Sequence, residues 1–306
     1  VSRLAESLAK RRDGPEDRVA FHLHRYLAGR DRARSPKVIH ASDATREDFC
    51  PRRQALLVLT KTPERTQFVH TAQRLVWAQG NAIASQVVRW AVNAGICVGA
   101  WHCPDCGFEV EFGRRPPRCS KCGGSRFSYR EVRFQSEDCG VSGGMDLLVD
   151  LPTRKRYLVV ELKTIDKLEF QRLKMPLAEH RQRTQLYLRC IAESDSPHKH
   201  LVDQDRARVL YVSKGGYGER SSLPREWGIR DGGWTPFKEY EVRRDDEAVD
   251  DIADAARPLH RWLRGDGGLP SGVCPSAVCD RAQRCEVVGP CFSGDYPAGE
   301  HRRFAG

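Results

Sequence analysis

The feature that most constrains this chain is a pair of cysteine knuckles, Cys103-Pro-Asp-Cys106 and, twelve residues on, Cys119-Ser-Lys-Cys122. Each knuckle sets two thiols on one tight turn, and two knuckles at this separation close a tetrahedral four-thiolate site around one zinc ion. Gly107, Gly123 and Gly124 stand where the chain must turn after each knuckle. Four thiolates leave no open position, so zinc here serves structure. Iron bound as in rubredoxin shares the geometry, and two disulfides would require an oxidising compartment. Cys103, Cys106, Cys119 and Cys122 thus predict a zinc ribbon, expected at residues 99–128 as an insertion in a larger domain.

The remainder of the 306 residues must supply that domain. With 40% hydrophobic and 30% charged residues the composition is globular, not disordered. A formal charge of +10 favours an acidic partner, and nucleic acid is the commonest one for a basic protein of this size. A solvated basic surface is the alternative. No apolar run approaches the roughly 20 residues of a membrane span. The stretch VSRLAESLAKRRDGPEDRVAF lacks the apolar core of a signal peptide. The cytoplasm is the expected setting, with no membrane partner, and there twelve cysteines point to metal sites.

Residues 1–45 read as an N-terminal helical region, with polar linkers at Asp13-Gly14-Pro15 and Arg32 to Pro36. Residues 46–98 continue helical, QGNAIASQVVRWAVNAG having apolar residues at helical spacing and ending on Gly95. Strand signals follow in YREVRFQ, MDLLVDL, RYLVVEL, RARVLYVS and EYEVRR. A long helix is expected from Lys167 to Ala192, a surface loop from Gly215 to Gly233, and an amphipathic helix in DDEAVDDIADAARPLHRWLRG. Residues 129–265 then form the core, and 266–306 a tail rich in Cys, Gly and Pro. The order predicts a mixed α/β fold, a small mixed sheet flanked by helices.

Within it, MDLLVDLPTRKRYLVVELKT sets Asp146, Glu161 and Lys163 among residues that favour burial. Alternation puts Glu161 and Lys163 on one strand face and Leu162 on the other. A two- or four-residue loop pairs Leu151 with Arg156 and brings Asp146 directly opposite Glu161. An odd loop would place them on opposite faces. Facing carboxylates repel by a few tenths to about 1 kcal/mol, more if desolvated. Either Lys163 compensates in a salt bridge or a divalent cation sits between hard oxygen ligands.

The stretch Gly143-Gly144-Met145-Asp146, then fourteen residues, then Glu161-Leu162-Lys163 resembles the D…ExK core of PD-(D/E)XK nucleases, especially the RecB-like branch with the Cas4-like and AddB-type enzymes. The likeness extends from about Ser42 to Cys291. It implies a restriction-endonuclease-like core and a Mg²⁺- or Mn²⁺-dependent deoxyribonuclease. Asp146, Glu161 and the Leu162 carbonyl would bind the metal, and Lys163 would orient the attacking water and stabilise charge on the phosphate. Family members often place a histidine four residues after a helix glycine. Here Gly80 is followed by Ala84, so that ligand is missing or comes from Gln86 or Glu131. The family places a Gln and a Tyr four apart on the next helix, whereas this chain has Gln182, Gln185 and Tyr187, none with a partner at that spacing. Gln185 and Tyr187 are the expected pair of site residues, though Arg183 has the right spacing to Tyr187.

The resemblance also implies a [4Fe–4S] cluster held by one distant N-terminal and three C-terminal cysteines. Cys50, followed by Pro-Arg as in Cas4-like proteins, would join Cys274, Cys279 and Cys285, with Cys291 the alternate. A second zinc site is the other possibility. Cys97, Cys139 and Cys190 stand singly and read as buried thiols; His22, His24, His198 and His200 read as surface or packing residues. No GxSxG, Walker A or GxGxxG motif occurs, so any helicase is a separate chain. Implied partners are single-stranded DNA or duplex ends and recombination, helicase or CRISPR adaptation proteins. The implied role is a nuclease, an exonuclease in particular, in recombination, repair or phage DNA processing. Two rivals are a DNA-binding or assembly module with a decayed site and a zinc-ribbon transcription factor.

Overall fold

The computed structural model describes residues 19–28, 35–61, 71–215, 219–220 and 234–296. In chain order the elements begin with helix α1 (Val19–Ala28), strand β1 (Ile39–His40), and helices α2 (Ala41–Ala44), α3 (Pro51–Thr60) and α4 (Thr71–Asn93). Seven strands follow: β2 (Cys97–His102), β3 (Glu109–Arg114), β4 (Ser128–Arg130), β5 (Val132–Gln135), β6 (Val141–Met145), β7 (Leu147–Val149) and β8 (Tyr157–Ile165). Next come α5 (Lys167–Arg172), α6 (Ala178–Glu193), β9 (Val202–Ser213), β10 (Glu219–Arg220), β11 (Trp234–Thr235) and β12 (Phe237–Arg243). Helices α7 (Asp250–Arg264), α8 (Asp280–Gln283) and α9 (Val288–Ser293) close the described chain.

The chain divides into two compact units, Val1–Arg34 with Pro63–Gln79, and Ser35–Thr62 with Gly80–Gly306. In the first, Thr71 Oγ1 and the exposed His24 Nδ1 share a 2.6 Å hydrogen bond. The linker at Asp13-Gly14-Pro15 and most of the expected loop after Gly215 lie outside the described residues.

The second unit holds the sheets. The larger runs β12-β9-β8-β7-β2-β3, with β4 also on β2; β8 and β9 are parallel and the other pairs antiparallel. Strand alternation sorts its side chains into two cores. Leu147, Val149, Leu158, Val160 and Leu162 face one way, where α4 covers them with Ile83, Ala84, Val87, Val88, Ala91 and Val92 in two rows one turn apart. Leu148 and Val159 face the other way, onto α3, α6 and α7 through Leu56, Leu186, Leu188, Ala256 and Trp262. The result is the expected mixed α/β architecture, a mixed sheet between helical layers. A second sheet, β1-β6-β5, pairs β1 parallel and β5 antiparallel to β6.

Two segments belong to both sheets. Residues 141–149 leave the small sheet as β6 and enter the large one as β7, with a bend at Asp146. Residues 128–135 cross as β4 and β5, interrupted at Glu131. The expected single helix from Lys167 to Ala192 is instead two, α5 and α6. Pro176 lacks an amide donor and biases Met175 toward extended backbone, which ends the first helix at Arg172. The amide of Leu177, just before α6, donates to the Tyr211 hydroxyl at 2.9 Å.

The ribbon also departs from its expected start at residue 99. Strand β2 is continuous from Cys97 to His102; its first residues pair with β7 and its last with β4. The large sheet and the ribbon therefore share one strand. Cys97, Cys139 and Cys190 are buried free thiols, and His198 stacks on Phe112, centroids 4.8 Å apart.

Candidate functional site

Register sets the site. Leu147 pairs with Val160 and Val149 with Leu158, so continuing the ladder one step puts Asp146 opposite Glu161, the alignment that an even loop requires. On the other side Val132 pairs with Met145, and one further step puts Glu131 opposite Asp146. Three carboxylates thus occupy adjacent positions where the two sheets part. Glu131 was legible in the sequence only as one substitute for a missing ligand, because its place depends on a pairing remote from the hairpin. Gln86, the other substitute, is not among the residues lining the cleft described below.

The three differ in environment. Glu161 is 1% exposed and both its oxygens lack a hydrogen-bond donor. Lys163 Nζ touches its Oε1 as an ion pair, outside hydrogen-bond alignment, and Arg183 Nη1 lies 3.9 Å away. Burial, then the neighbouring Asp146 charge, raises the Glu161 pKa to about 8 against the opposing pull of Lys163. Asp146 Oδ2 accepts from the Leu162 amide at 2.8 Å and lies 3.9 Å from Lys163 Nζ. Lys163 also reaches the Leu162 carbonyl at 3.3 Å. Burial and Asp146 together raise the Glu131 pKa, although its side chain keeps 45% of its exposure; it is best described as half-buried.

Helix α6 supplies the opposite wall. His180, Arg183 and Tyr187 follow at spacings of three and four, so they form one stripe along the helix. Close approach is built into the strand: a Cβ at Gly143 would come within 2.6 Å of the Tyr187 ring, and one at Gly144 within 2.5 Å of Glu131 Oε2. His180 was not singled out by sequence. Its Nδ1 lies 2.8 Å from the Tyr211 hydroxyl, and burial, reinforced by Lys163 and Arg183, lowers its pKa to about 3. The facing Glu179 at 3.2 Å is 69% exposed and does not offset this. Gln185, expected beside Tyr187, projects from a different side of the helix, about 200° round from Arg183, and is buried.

A cleft of about 1190 Å³ opens between α4 and the ribbon, and Asp146, Glu131 and Leu162 lie along it. Asn81, Ala84, Ser85 and Arg89 line its helical side. A divalent ion suits this donor set: two orphaned oxygens of a buried carboxylate, a second carboxylate opposite and a backbone carbonyl between them.

The four ribbon cysteines meet a stricter criterion. Their ligand atoms lie within 4.8 Å of one another, and among the described residues no other group of three or more His, Cys, Asp or Glu does so. Cys103 and Cys122 Sγ are 3.7 Å apart and Cys106 and Cys119 Sγ 3.6 Å. A Zn–S bond of about 2.3 Å gives a tetrahedral edge of about 3.8 Å, which these two separations match. The knuckles match in detail: Gly107 and Gly123 donate back to Cys103 and Cys119 at 2.9 and 2.8 Å, both glycines at φ +74°.

Cys50 and the C-terminal cysteines gather more loosely. Cys50 and Cys279 each N-cap a helix, their Sγ accepting from Arg53 and Ala282 amides at 3.4 Å. Cys50 acts electrostatically on Cys274 and Cys285, and Cys274 on Cys279. Around them Arg53 pairs with Glu286 at 2.8 Å, and Arg281 donates to the Phe49 carbonyl at 3.0 Å. Cys285 and Cys291 both pack on the apolar core, and the Cys291 carbonyl accepts from Arg52 at 3.2 Å. No three of these thiols lie within 4.8 Å of one another.

No family model matches the sequence, and no curated protein does. Among solved structures, an alkaline exonuclease from Laribacter hongkongensis is similar in two forms, one with dAMP. Both are 13% identical with TM-scores of 0.40 and 0.39, and cover 74% of this chain and 87% of theirs. A phage-related exonuclease from Haemophilus somnus is 14% identical with a TM-score of 0.36, covering 74% of this chain and 94% of its own. Likeness at this level leaves the functional reading to the geometry of the site.

Proposed function

We propose that the protein is a divalent-metal-dependent nuclease that hydrolyses DNA phosphodiester bonds. One observation carries this: buried Glu161, with two oxygens lacking hydrogen-bond donors, in contact with Lys163 and opposite Asp146, which lines an arginine-bearing cleft. A carboxylate held this way is costly unless a cation is part of the site. Asp146, Glu161 and the Leu162 carbonyl would hold Mg²⁺ or Mn²⁺, with Glu131 supplying the ligand that Ala84 lacks. When bound, the ion supplies Lewis acidity at the phosphoryl oxygen and makes its water more acidic. Lys163 stabilises the charge that develops on the phosphate and orients the attacking water. Arg183 supports it from α6. Tyr187 wedges α6 against Gly143 and keeps the carboxylate row closed to bulk water on that side.

The family resemblance extends this to an exonuclease of the RecB-like, Cas4-like type in recombination, repair or phage and CRISPR-type DNA processing. Cys50, Cys274, Cys279 and Cys285 would hold a [4Fe–4S] cluster, and Cys103, Cys106, Cys119 and Cys122 zinc. A second reading, a DNA-binding module with a decayed site, draws on Ala84 in the cleft. Incubation of labelled single-stranded and duplex DNA with Mg²⁺ or Mn²⁺ separates the two. The wild type cuts and Asp146→Ala does not under the first; under the second both bind and neither cuts.

A further inference from the structure

The sequence offers Arg114, Arg115, Arg118 and Lys121 of the inserted ribbon either as DNA contacts or as a solvated basic face; in the structure the ribbon forms one side of the cleft that reaches the carboxylates, and of these four residues Arg115 lies in its lining. Phe127, Ser128, Tyr129 and Arg130 leave the second knuckle and line it in succession, and Arg115 joins them from the end of β3. The Arg115 guanidinium donates to the Ser125 carbonyl at 2.9 Å, which fixes it beside the stretch that carries Phe127. Its charge stays uncompensated: among the described residues neither Arg115 nor Arg89, across the cleft on α4, has a carboxylate partner. Arg130 pairs with Glu109 at 2.5 Å, and Arg133 lies 3.8 Å from Glu131. Among the described residues the lining carries four arginines, Arg89, Arg115, Arg130 and Arg133, against two carboxylates, Glu131 and Asp146.

We infer that the cysteine ribbon grips a single DNA strand, Phe127 stacking on a base and Arg115 holding an adjacent phosphate, so that the strand is presented to the carboxylate row. The substrate class rests on the nuclease reading above; the grip rests on the cleft lining. A half-buried phenyl beside unpaired guanidinium groups matches how single strands are held without sequence preference, by stacking and backbone contact. A duplex offers no free base face along its length, so the same surface discriminates against it. Asn81, Ser85 and Asn93 on the α4 side add polar groups within reach of the backbone.

The test uses the full chain with zinc and an Asp146→Ala background, in which binding is measured without turnover. Fluorescence anisotropy with a labelled single strand should weaken about tenfold on Phe127→Leu, which keeps apolar packing but removes the ring, and should be retained on Phe127→Trp. Arg115→Ala should weaken it and lower the salt slope by about one unit. Binding of the blunt duplex should change less than about twofold in each, since the ring has no base to stack on there. Variants are compared at equal zinc content and melting temperature. Unchanged single-strand affinity in both Phe127→Leu and Arg115→Ala overturns the grip, even if the wild type cuts DNA. Ring-dependent binding by a wild type that cuts nothing upholds the grip and removes the nuclease reading instead.

Discussion

Three carboxylates in adjacent positions would repel one another, and the proposed divalent ion would join Lys163 in offsetting the charge of Glu161, the most buried of them. Asp146→Ala and Lys163→Ala should each reduce DNA hydrolysis on the order of a hundredfold or more while leaving single-strand affinity near wild type; a cleavage assay beside anisotropy checks both. His180 makes a separate prediction. Its folded pKa lies near 3, below the ordinary 6.5, so the unfolded chain takes up the proton first. Stability from this group is full above pH 6.5 and lost as pH falls toward 3, and His180→Gln should flatten the stability profile within that window. Chemical denaturation at stepped pH reads the slope. Asp146, Glu161 and Lys163 were legible in the sequence because a hairpin is local and its loop fixes parity. Glu131 and His180 were not, since one is placed by the strand 141–145 and the other by a helix whose rotation no local pattern reveals.

At the level of elements, the knuckles were readable because ligand spacing is a local constraint, whereas the sharing of strand β2 was not. The ribbon's start depends on pairing with Leu148 and Val149, far along the chain. Likewise the amphipathic pattern after Asp166 continues across Pro176 and hides the helix break. Tyr129 shows the coupling that results: it rests on Trp101, and its hydroxyl donates to the Asp146 carbonyl at 3.1 Å. Tyr129→Phe should cost about 1 kcal/mol of stability and weaken Mn²⁺ binding to the DNA-free protein, seen by electron paramagnetic resonance. Affinity for Mn²⁺ equal to wild type would show that the hydroxyl does not position Asp146. Cys103→Ser should lose the ribbon's metal, read by elemental analysis, and with it single-strand affinity.

At the scale of the molecule, the α3 end and the C-terminal segment are joined by Arg53–Glu286, Arg281 and the facing cysteines. A cluster here would close a long loop, which restrains the unfolded chain more than a short one does. Anaerobically purified protein should be brown, with iron and zinc near four to one. Cys50→Ser should bleach it and lower the melting temperature, whereas Cys291→Ser should leave the colour. The layer order followed from the alternation of helical and strand patterns, but the division into two sheets did not, because single residues, Glu131 and Asp146, interrupt otherwise continuous strands.

The two flanks of the β9-β8-β7 part of the large sheet are guarded differently. Strand β12 presents Lys238, Glu239, Glu241 and Arg243, charges that discourage another chain from adding on. Leu147, Leu148 and Val149 carry no such protection and depend on β2 lying alongside. Excising residues 99–128 would leave Cys97 and Val98 as a stub against that apolar row. The shortened chain should then recognise its own kind, forming more concentration-dependent oligomers in sedimentation velocity than the intact protein. What looks like an accessory module is thus also the hem that covers the apolar row of the sheet.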